Sequence, residues 1–557
     1  MDIVRIIIPE LIVLSTACVL FLLGMSGSLS VRKAVPFIAL AGLLGAFAWQ
    51  VNTVLGGAPP IMLADDANTL RLTGFGHYIK LRVAGVGMLF VLMSWPTNRF
   101  ATGNDSLSWD FDAGEYFSLV LCALAGVMLV STSNDMLLLF MGIELASIPT
   151  YILVSMSRPL ASAQEAGVKY FFLGAVSAAI MLFGFSYLYG TTGKTDFYEI
   201  ARDFAATITT PGGSAALNAW QMLAFVMLIL GFAFKLAAVP THFYAADVYH
   251  GAATPITALL SFVPKITGII ALIKVLWVAG GGMGGVPEQI AHLLWWLAVL
   301  TMTVGNVLGL LQHNVKRVLA YSSIAHSGYL LVGLTAYVWT GGIASDATRT
   351  SALEGVLFYL AAYGIMNVGA FGVLMMLPTR QKIVGPNGAD VPPPATTAET
   401  FDDLRGTGRA NPVLGLAMAV SCFSLIGLPL TVGFLGKFFI IRPAFESGLY
   451  SLVVITMINA AISAAYYLRI VGTMFLQDPE TDTATLRMPA RPLPLTIATA
   501  ISVVGSLLFG AVPQAIEVLN NQTITAAVIE TDSMIPPSPI LDDEDLQPAP
   551  STVSRAP

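Results

Sequence analysis

The sequence predicts an all-α polytopic membrane protein with about 14 transmembrane helices, and three observations carry that expectation. Of its 557 residues 56% are hydrophobic and only 11% charged, and the mean hydropathy is +0.76; this composition excludes a soluble multidomain enzyme. Apolar runs of about 20 residues, long enough to cross the bilayer core as helices, recur along most of the chain. Two of those runs contain a proline beside a lysine, which marks broken helices lining protein or water, because freed backbone groups are not tolerated against lipid.

In order, the runs cover residues 5–25, 34–55, 77–96, 114–132, 135–156, 164–190, 216–248 (broken), 254–279, 290–312, 317–340, 352–377, 411–441 (broken), 449–476 and 492–513. The first is a retained span: no basic segment and cleavage site accompany it, and Glu10 is foreign to a signal core. An even number of spans puts both termini on one side. Arg32, Lys33, Arg158, Lys316, Arg317 and most other loop cations follow odd-numbered spans, so the positive-inside rule places those loops in the cytoplasm and both termini outside. Residues 378–410 form a Pro- and Gly-rich connection closing in a short polar helix or turn at Phe401–Arg409, and residues 532–557 are an acidic, Pro-rich tail expected to be disordered. Cys18, Cys122 and Cys422 lie in apolar runs without disulfide or metal spacing, and a formal charge of −6 points to no nucleic-acid partner.

The chemistry is expected where charge enters the apolar runs. A lysine or aspartate at mid-bilayer costs about 2.5–3.5 kcal/mol on insertion scales and therefore faces a bundle interior or a wet cavity. Lys235 lies five residues before Pro240, with His242 and Asp247 beyond it; Lys265 follows Pro264 in the next span. Glu144 lies a third of the way into the fifth span and Lys169 near the start of the sixth, an arrangement that invites pairing. Lys437 lies in Gly433-Phe-Leu-Gly-Lys437, an echo of Gly231-Phe-Ala-Phe-Lys235 five spans earlier; an odd offset is the signature of inverted repeats. His242 and His326 are relay candidates because imidazole titrates near neutral pH, against the plainer role of bonding a backbone carbonyl. Snorkelling from a helix end accounts for Lys80 and Lys274, and an interface anchor for Lys316-Arg317. Nucleotide-binding loops, haem pairs and iron–sulfur cysteines have no match, so the chain itself carries no catalytic redox centre or metal site.

The run from Phe234 through Ala258 with Pro264-Lys265, the run Val315-Lys-Arg-Val-Leu-Ala-Tyr-Ser-Ser-Ile-Ala-His326, and Gly433-Phe-Leu-Gly-Lys437 together resemble the antiporter-like subunits of respiratory complex I over spans four to thirteen. The Asp247-Val-Tyr step, the lysine at 437 and the lack of sequence for a lateral helix after residue 513 resemble its N-type branch. Thr241, Tyr244, Ala246, His250 and Ala253 depart from the family pattern, with two prolines lost.

The resemblance implies two inverted five-helix units, residues 114–280 and 281–477, preceded by three spans in 1–113 and followed by a last span and flank in 478–531. It implies a non-redox subunit of a proton-translocating NADH:quinone oxidoreductase in a bacterial inner membrane. Protons would pass Glu144, Lys169, Lys235, Lys265 and Lys437, with His242 and His326 as relays. FMN, iron–sulfur clusters and quinone would reside in partner subunits, and K-type and M-type subunits and lipid would surround the chain. The alternative is a subunit of a multi-subunit cation/proton antiporter.

Overall fold

A computed structural model describes residues 2–26, 28–56, 69–95, 109–156, 161–209, 217–282, 286–339, 345–379, 383–384, 390–391, 398–478 and 492–512. Twelve helices among them are long and apolar enough to cross a membrane: α1 (Asp2–Gly24), α2 (Leu29–Leu55), α3 (Gly74–Met93), α4 (Trp109–Thr132), α5 (Met136–Met156), α6 (Ala161–Thr192), α10 (Thr254–Ala279), α11 (Glu288–Leu310), α12 (Val315–Val338), α13 (Asp346–Met376), α18 (Tyr450–Leu476) and α19 (Leu493–Ala511). The two remaining spans are broken, α8 (Ala219–Lys235) with α9 (Ala245–Gly251), and α16 (Pro412–Ile426) with α17 (Val432–Glu446). The expected fourteen are therefore present, and the two breaks fall in the expected runs.

The expected polar segment before the twelfth span forms two single-turn helices, α14 (Phe401–Leu404) and α15 (Thr407–Ala410), opened by a capping box between Thr400 and Asp403. A helix outside the expected spans, α7 (Phe197–Thr209), is amphipathic: Phe197, Ile200, Ala201 and Phe204 are buried while Arg202 is exposed. The tail at 532–557, everything beyond 512 and most of the Pro-rich centre of 378–410 lie outside the described residues.

Close helix approach recurs in both halves. A methyl group on Gly126 of α4 would stand 2.3 Å from the Ala146 nitrogen of α5, and one on Gly305 of α11 would stand 2.7 Å from the Ala325 nitrogen of α12. The glycine and alanine are at the same sequence offset in both pairs, so each half packs its first two helices backbone to backbone.

The first break begins after Lys235, where Ala237 takes a left-handed conformation (φ 51°) and Val239–Pro240 is cis. Residues of the second half satisfy the freed groups: Ser327 donates to the Leu236 carbonyl (2.6 Å) and Val239 N–H donates to Thr301 Oγ1 (3.0 Å). The second break opens at Gly427 (φ 87°), whose conformation suits a residue without a side chain, and closes at Thr431. The Gly-Phe echo is not an aligned copy: the break follows Lys235 and precedes Lys437.

Candidate functional site: a buried line of lysines

On α5, Glu144, Ser147 and Tyr151 stand at i, i+3 and i+7 and therefore share one face, turned toward the end of α8. Lys235, 3% exposed, donates to Ser147 Oγ at 2.8 Å and to Tyr151 OH at 3.1 Å, and its amine lies 3.4 Å from Glu144 Oε1. Glu144 is itself 20% exposed. The carboxylate expected to pair with Lys169 thus pairs with Lys235.

Lys169, whose side chain is 41% exposed, instead contacts Glu165 (2.7 Å) and Asp247 (3.0 Å). The reason is azimuthal. Sequence proximity of spans five and six leaves open which way each side chain points, and Glu144 follows the Ser147 and Tyr151 face.

A cavity of about 20 Å³ separates Lys235 from Lys265 and is walled by Tyr170, Tyr244 and Tyr249. That is room for about one water molecule, and the two lysines line it together with the three tyrosines. Tyr170 stacks on Tyr244 (5.4 Å between centroids), and Tyr244 OH donates to the Phe234 carbonyl, so the wall is fixed.

Lys265 is buried and donates to the Ser323 carbonyl of α12, and its amine sits 4.8 Å from the Tyr363 ring centre. Tyr363 packs on His326 at 4.9 Å. His326 is enclosed between two phenols, with Nδ1 bonded to Tyr359 OH and Nε2 3.2 Å from Tyr467 OH. Tyr329, one turn further along α12, packs edge-on to His326 at 5.6 Å and lies beneath the Lys437 amine at 4.7 Å. Lys437 donates to the Leu425 (3.1 Å) and Ile426 (2.7 Å) carbonyls at the end of α16. Those are carbonyls a helix C-terminus leaves unpaired, and the helix dipole adds negative potential there. The structure therefore brings Glu144, Lys235, Lys265, His326 and Lys437 into one buried line.

His242 is not part of it. The imidazole is half-buried in the first break, packs against the exposed Phe243, and makes no contact with either Lys235 or Lys265.

Two expectations about cations are corrected. Lys316 does not anchor at an interface: it is fully buried, paired with Glu399 (3.1 Å) and donating to the His250 and Ala252 carbonyls. Arg317 pairs with Asp247 at 2.7 Å, so α12 clamps both ends of α9. Nor does Lys80 snorkel: it is buried and paired with Glu10 at 2.8 Å. Among the described residues no cluster of His, Cys, Asp and Glu could hold a metal ion.

Ser147 and Tyr151 were detectable in the sequence from their helical spacing to Glu144. Tyr359 and Tyr467 had no such signal, since they reach His326 from α13 and α18.

A family model described as NADH:quinone oxidoreductase/Mrp antiporter, transmembrane, matches residues 133–463. NADH-quinone oxidoreductase subunit N of Trichlorobacter lovleyi is 35% identical over 92% of this chain and 95% of its own length. A chain of respiratory complex I from Thermus thermophilus, solved with aureothin bound, superposes with a TM-score of 0.68 at 27% identity, covering 91% of this chain and 97% of that one. A chain of the Mrp complex from Dietzia sp. DQ12-45-1b shares the fold, with a TM-score of 0.73 at 18% identity over 95% and 99% of the two chains.

Proposed function

The chain belongs to the subunit N family of NADH-quinone oxidoreductases, and from that premise we propose how its buried line moves protons in the membrane arm of such a complex. The observation that carries the proposal is the continuity from Glu144 through Lys235, the water-sized cavity, Lys265 and His326 to Lys437. Lysine suits the task because its amine exists in both protonation states once water is removed, which arginine does not.

While Glu144 faces Lys235 the ammonium is held by an opposite charge at 3.4 Å. Drawing the carboxylate away, through its exposed edge, removes that attraction in a poorly screened interior. The proton then crosses the cavity water to Lys265, passes the tyrosine-clamped His326 and reaches Lys437. No covalent chemistry occurs in the chain; charge pairing decides where the proton resides. Lys169 belongs to the surface clamp on α9 and acts on Glu144 only at a distance.

FMN, iron–sulfur clusters and quinone belong to partner subunits, and the chain acts as the non-redox part of the translocase. K-type and M-type subunits, with lipid, cover exposed apolar side chains such as Met141 and Phe172. The bias of the loop cations supports a cytoplasmic α9–α10 turn, with both termini on the periplasmic side of the plasma membrane.

The Mrp fold is shared, so the antiporter alternative is decided by company. Copurification with quinone-reducing subunits supports the present reading, and copurification with cation-antiporter subunits alone refutes it. The functional test is proton transport by the reconstituted complex carrying Lys235→Ala or Lys437→Ala; full transport by either variant ends the proposal.

A further inference from the structure

On the flank of the lysine line, where α11 meets α18, lies a buried polar network that the proposed proton path does not use. Asn306 of α11 and Asn459 of α18 are 0% and 3% exposed and meet amide to amide, Asn306 Nδ2 donating to Asn459 Oδ1 at 3.1 Å. The same Nδ2 donates to Tyr329 OH of α12 at 3.3 Å, and Asn306 Oδ1 accepts from Tyr466 OH at 3.0 Å. Asn459 Nδ2 donates in turn to Thr303 Oγ1 (3.3 Å) and to the Ile455 carbonyl (3.0 Å). Asn306 is therefore tied at both ends of its amide, to three side chains on two other helices.

Two amides inside an apolar helix interface call for a reason. Packing α11 against α12 does not require them, because Gly305 and Ala325 already bring those backbones into contact. A fully bonded polar network in a low-dielectric interior instead specifies one geometry for the side chains it joins.

Tyr329 is the member of the network that touches the line. Its ring lies edge-on to His326 at 5.6 Å and beneath the Lys437 amine at 4.7 Å. The attraction of a cation to an aromatic face depends on where that face points. The hydroxyl is the far end of the ring, so the bond from Asn306 sets the ring's tilt. Ser463, one turn from Asn459 on α18, also faces this hydroxyl. Tyr467, next to Tyr466, bonds Ser322 and lies 3.2 Å from His326 Nε2, so α18 holds both sides of the step from His326 to Lys437.

We infer that Asn306, fixed by Asn459 and Tyr466, is a positioning residue for the last step of the proposed path, holding the Tyr329 ring under the Lys437 amine. The inference rests on the proton-moving role proposed above. Asn306 exchanges no proton itself, since its side chain has no titratable group.

The test measures proton transport by the whole complex in sealed vesicles, with Lys437→Ala as the reference. Asn306→Leu, which keeps the branched shape and loses the amide, should leave the complex assembled and slow transport about three- to ten-fold, the effect of one lost hydrogen bond. Added to Tyr329→Phe, it should slow transport no further than Tyr329→Phe alone, because the hydroxyl through which Asn306 acts is already gone. Asn306→Gln, which keeps an amide, should recover most of the rate. Native transport in Asn306→Leu, effects that multiply in the double variant, or an Asn306→Gln variant as slow as Asn306→Leu would each overturn the inference and leave the network as an adhesive between α11 and α18. If Asn306→Leu does not assemble, Tyr466→Phe decides, since it frees Asn306 Oδ1 without touching Tyr329. Slower transport in the native background but not in Tyr329→Phe supports the positioning, and any other pattern refutes it. Undiminished transport in Lys437→Ala would instead refute the proposed function.

Discussion

Lys235 and Lys437 both lie beside a helix break, yet they are held by opposite kinds of partner. Lys235 is the last residue of the helix that precedes its break and is bound by side chains alone: a carboxylate at 3.4 Å and hydroxyls at 2.8 and 3.1 Å. Lys437 is in the helix that follows its break and is bound by the main-chain carbonyls of Leu425 and Ile426. Side chains can swing and change protonation, whereas carbonyls at a helix end are fixed in place and charge. The first break is thus the adjustable end of the line and the second a constant electrostatic terminus. Lys265 resembles the second kind, its amine resting on the Ser323 carbonyl.

The hardest way to break this comparison is at the adjustable end. Lys235→Ala should reduce proton transport to background and destabilise the subunit by about 3–5 kcal/mol, the usual consequence of removing one partner of a largely buried pair. Transport assays on vesicles and thermal unfolding of the purified complex check both parts. Lys437→Ala comes next: transport should fall sharply because the terminus is gone, but the unfolding midpoint should move less, since the two carbonyls left behind carry only partial charge. Equal loss of stability in the two variants would refute the distinction between adjustable and fixed ends.

Glu144→Gln sharpens it further. The glutamine keeps a polar contact to Lys235, and Ser147 and Tyr151 still accept from the amine, so the complex should assemble with its transport reduced but not absent. A variant as inactive as Lys235→Ala would mean that the hydroxyls alone cannot hold the amine. At the other end no single side-chain substitution removes the Leu425 or Ile426 carbonyl.

This asymmetry also explains what the sequence could reveal. The fourteen spans and both breaks were legible because apolar length and proline act locally, and Lys235, Lys265 and Lys437 were legible because charge is conspicuous in an apolar run. The partners of Lys265 and Lys437 were not, since every residue carries a carbonyl and only the fold selects Ser323, Leu425 and Ile426. The fully buried Lys316 and Lys80 were mistaken for interface residues because both are near helix starts, where snorkelling is common; their carboxylate partners, Glu399 and Glu10, are respectively 83 and 70 positions away in sequence. His242 looked functional from its place beside Pro240, but its ring packs on Phe243 and has no hydrogen bond to either lysine.

Smaller effects follow from partners that hold geometry. Tyr467→Phe removes the hydroxyl 3.2 Å from His326 Nε2 while Tyr359 keeps Nδ1, so the ring stays in place with one bond fewer, a change of about 0.5–1.5 kcal/mol. Transport should slow by a few-fold with assembly intact, and the double variant Tyr359→Phe with Tyr467→Phe should slow it by more than the two single effects multiplied, because the ring then loses both constraints.

The smallest effect is expected at Lys169. Its amine bridges Glu165 and Asp247 with 41% of the side chain exposed, and exposed pairs of that kind contribute about 0.2–1 kcal/mol. Asp247 keeps Arg317 at 2.7 Å when Lys169 is lost, so α9 stays clamped to α12 and the cavity between Lys235 and Lys265 keeps its wall. Lys169→Ala should therefore leave the unfolding midpoint nearly unchanged and reduce transport only modestly, through the longer-range field its charge exerts on Glu144. That residual should shrink as ionic strength rises, because the amine is exposed to solvent, whereas the Lys235→Ala defect should be insensitive to salt. A Lys169→Ala loss as deep as that of Lys235→Ala, and equally indifferent to salt, would show that Glu144 leaves Lys235 for Lys169 during turnover, which would make the pairing expected from the sequence a second working state of the same carboxylate.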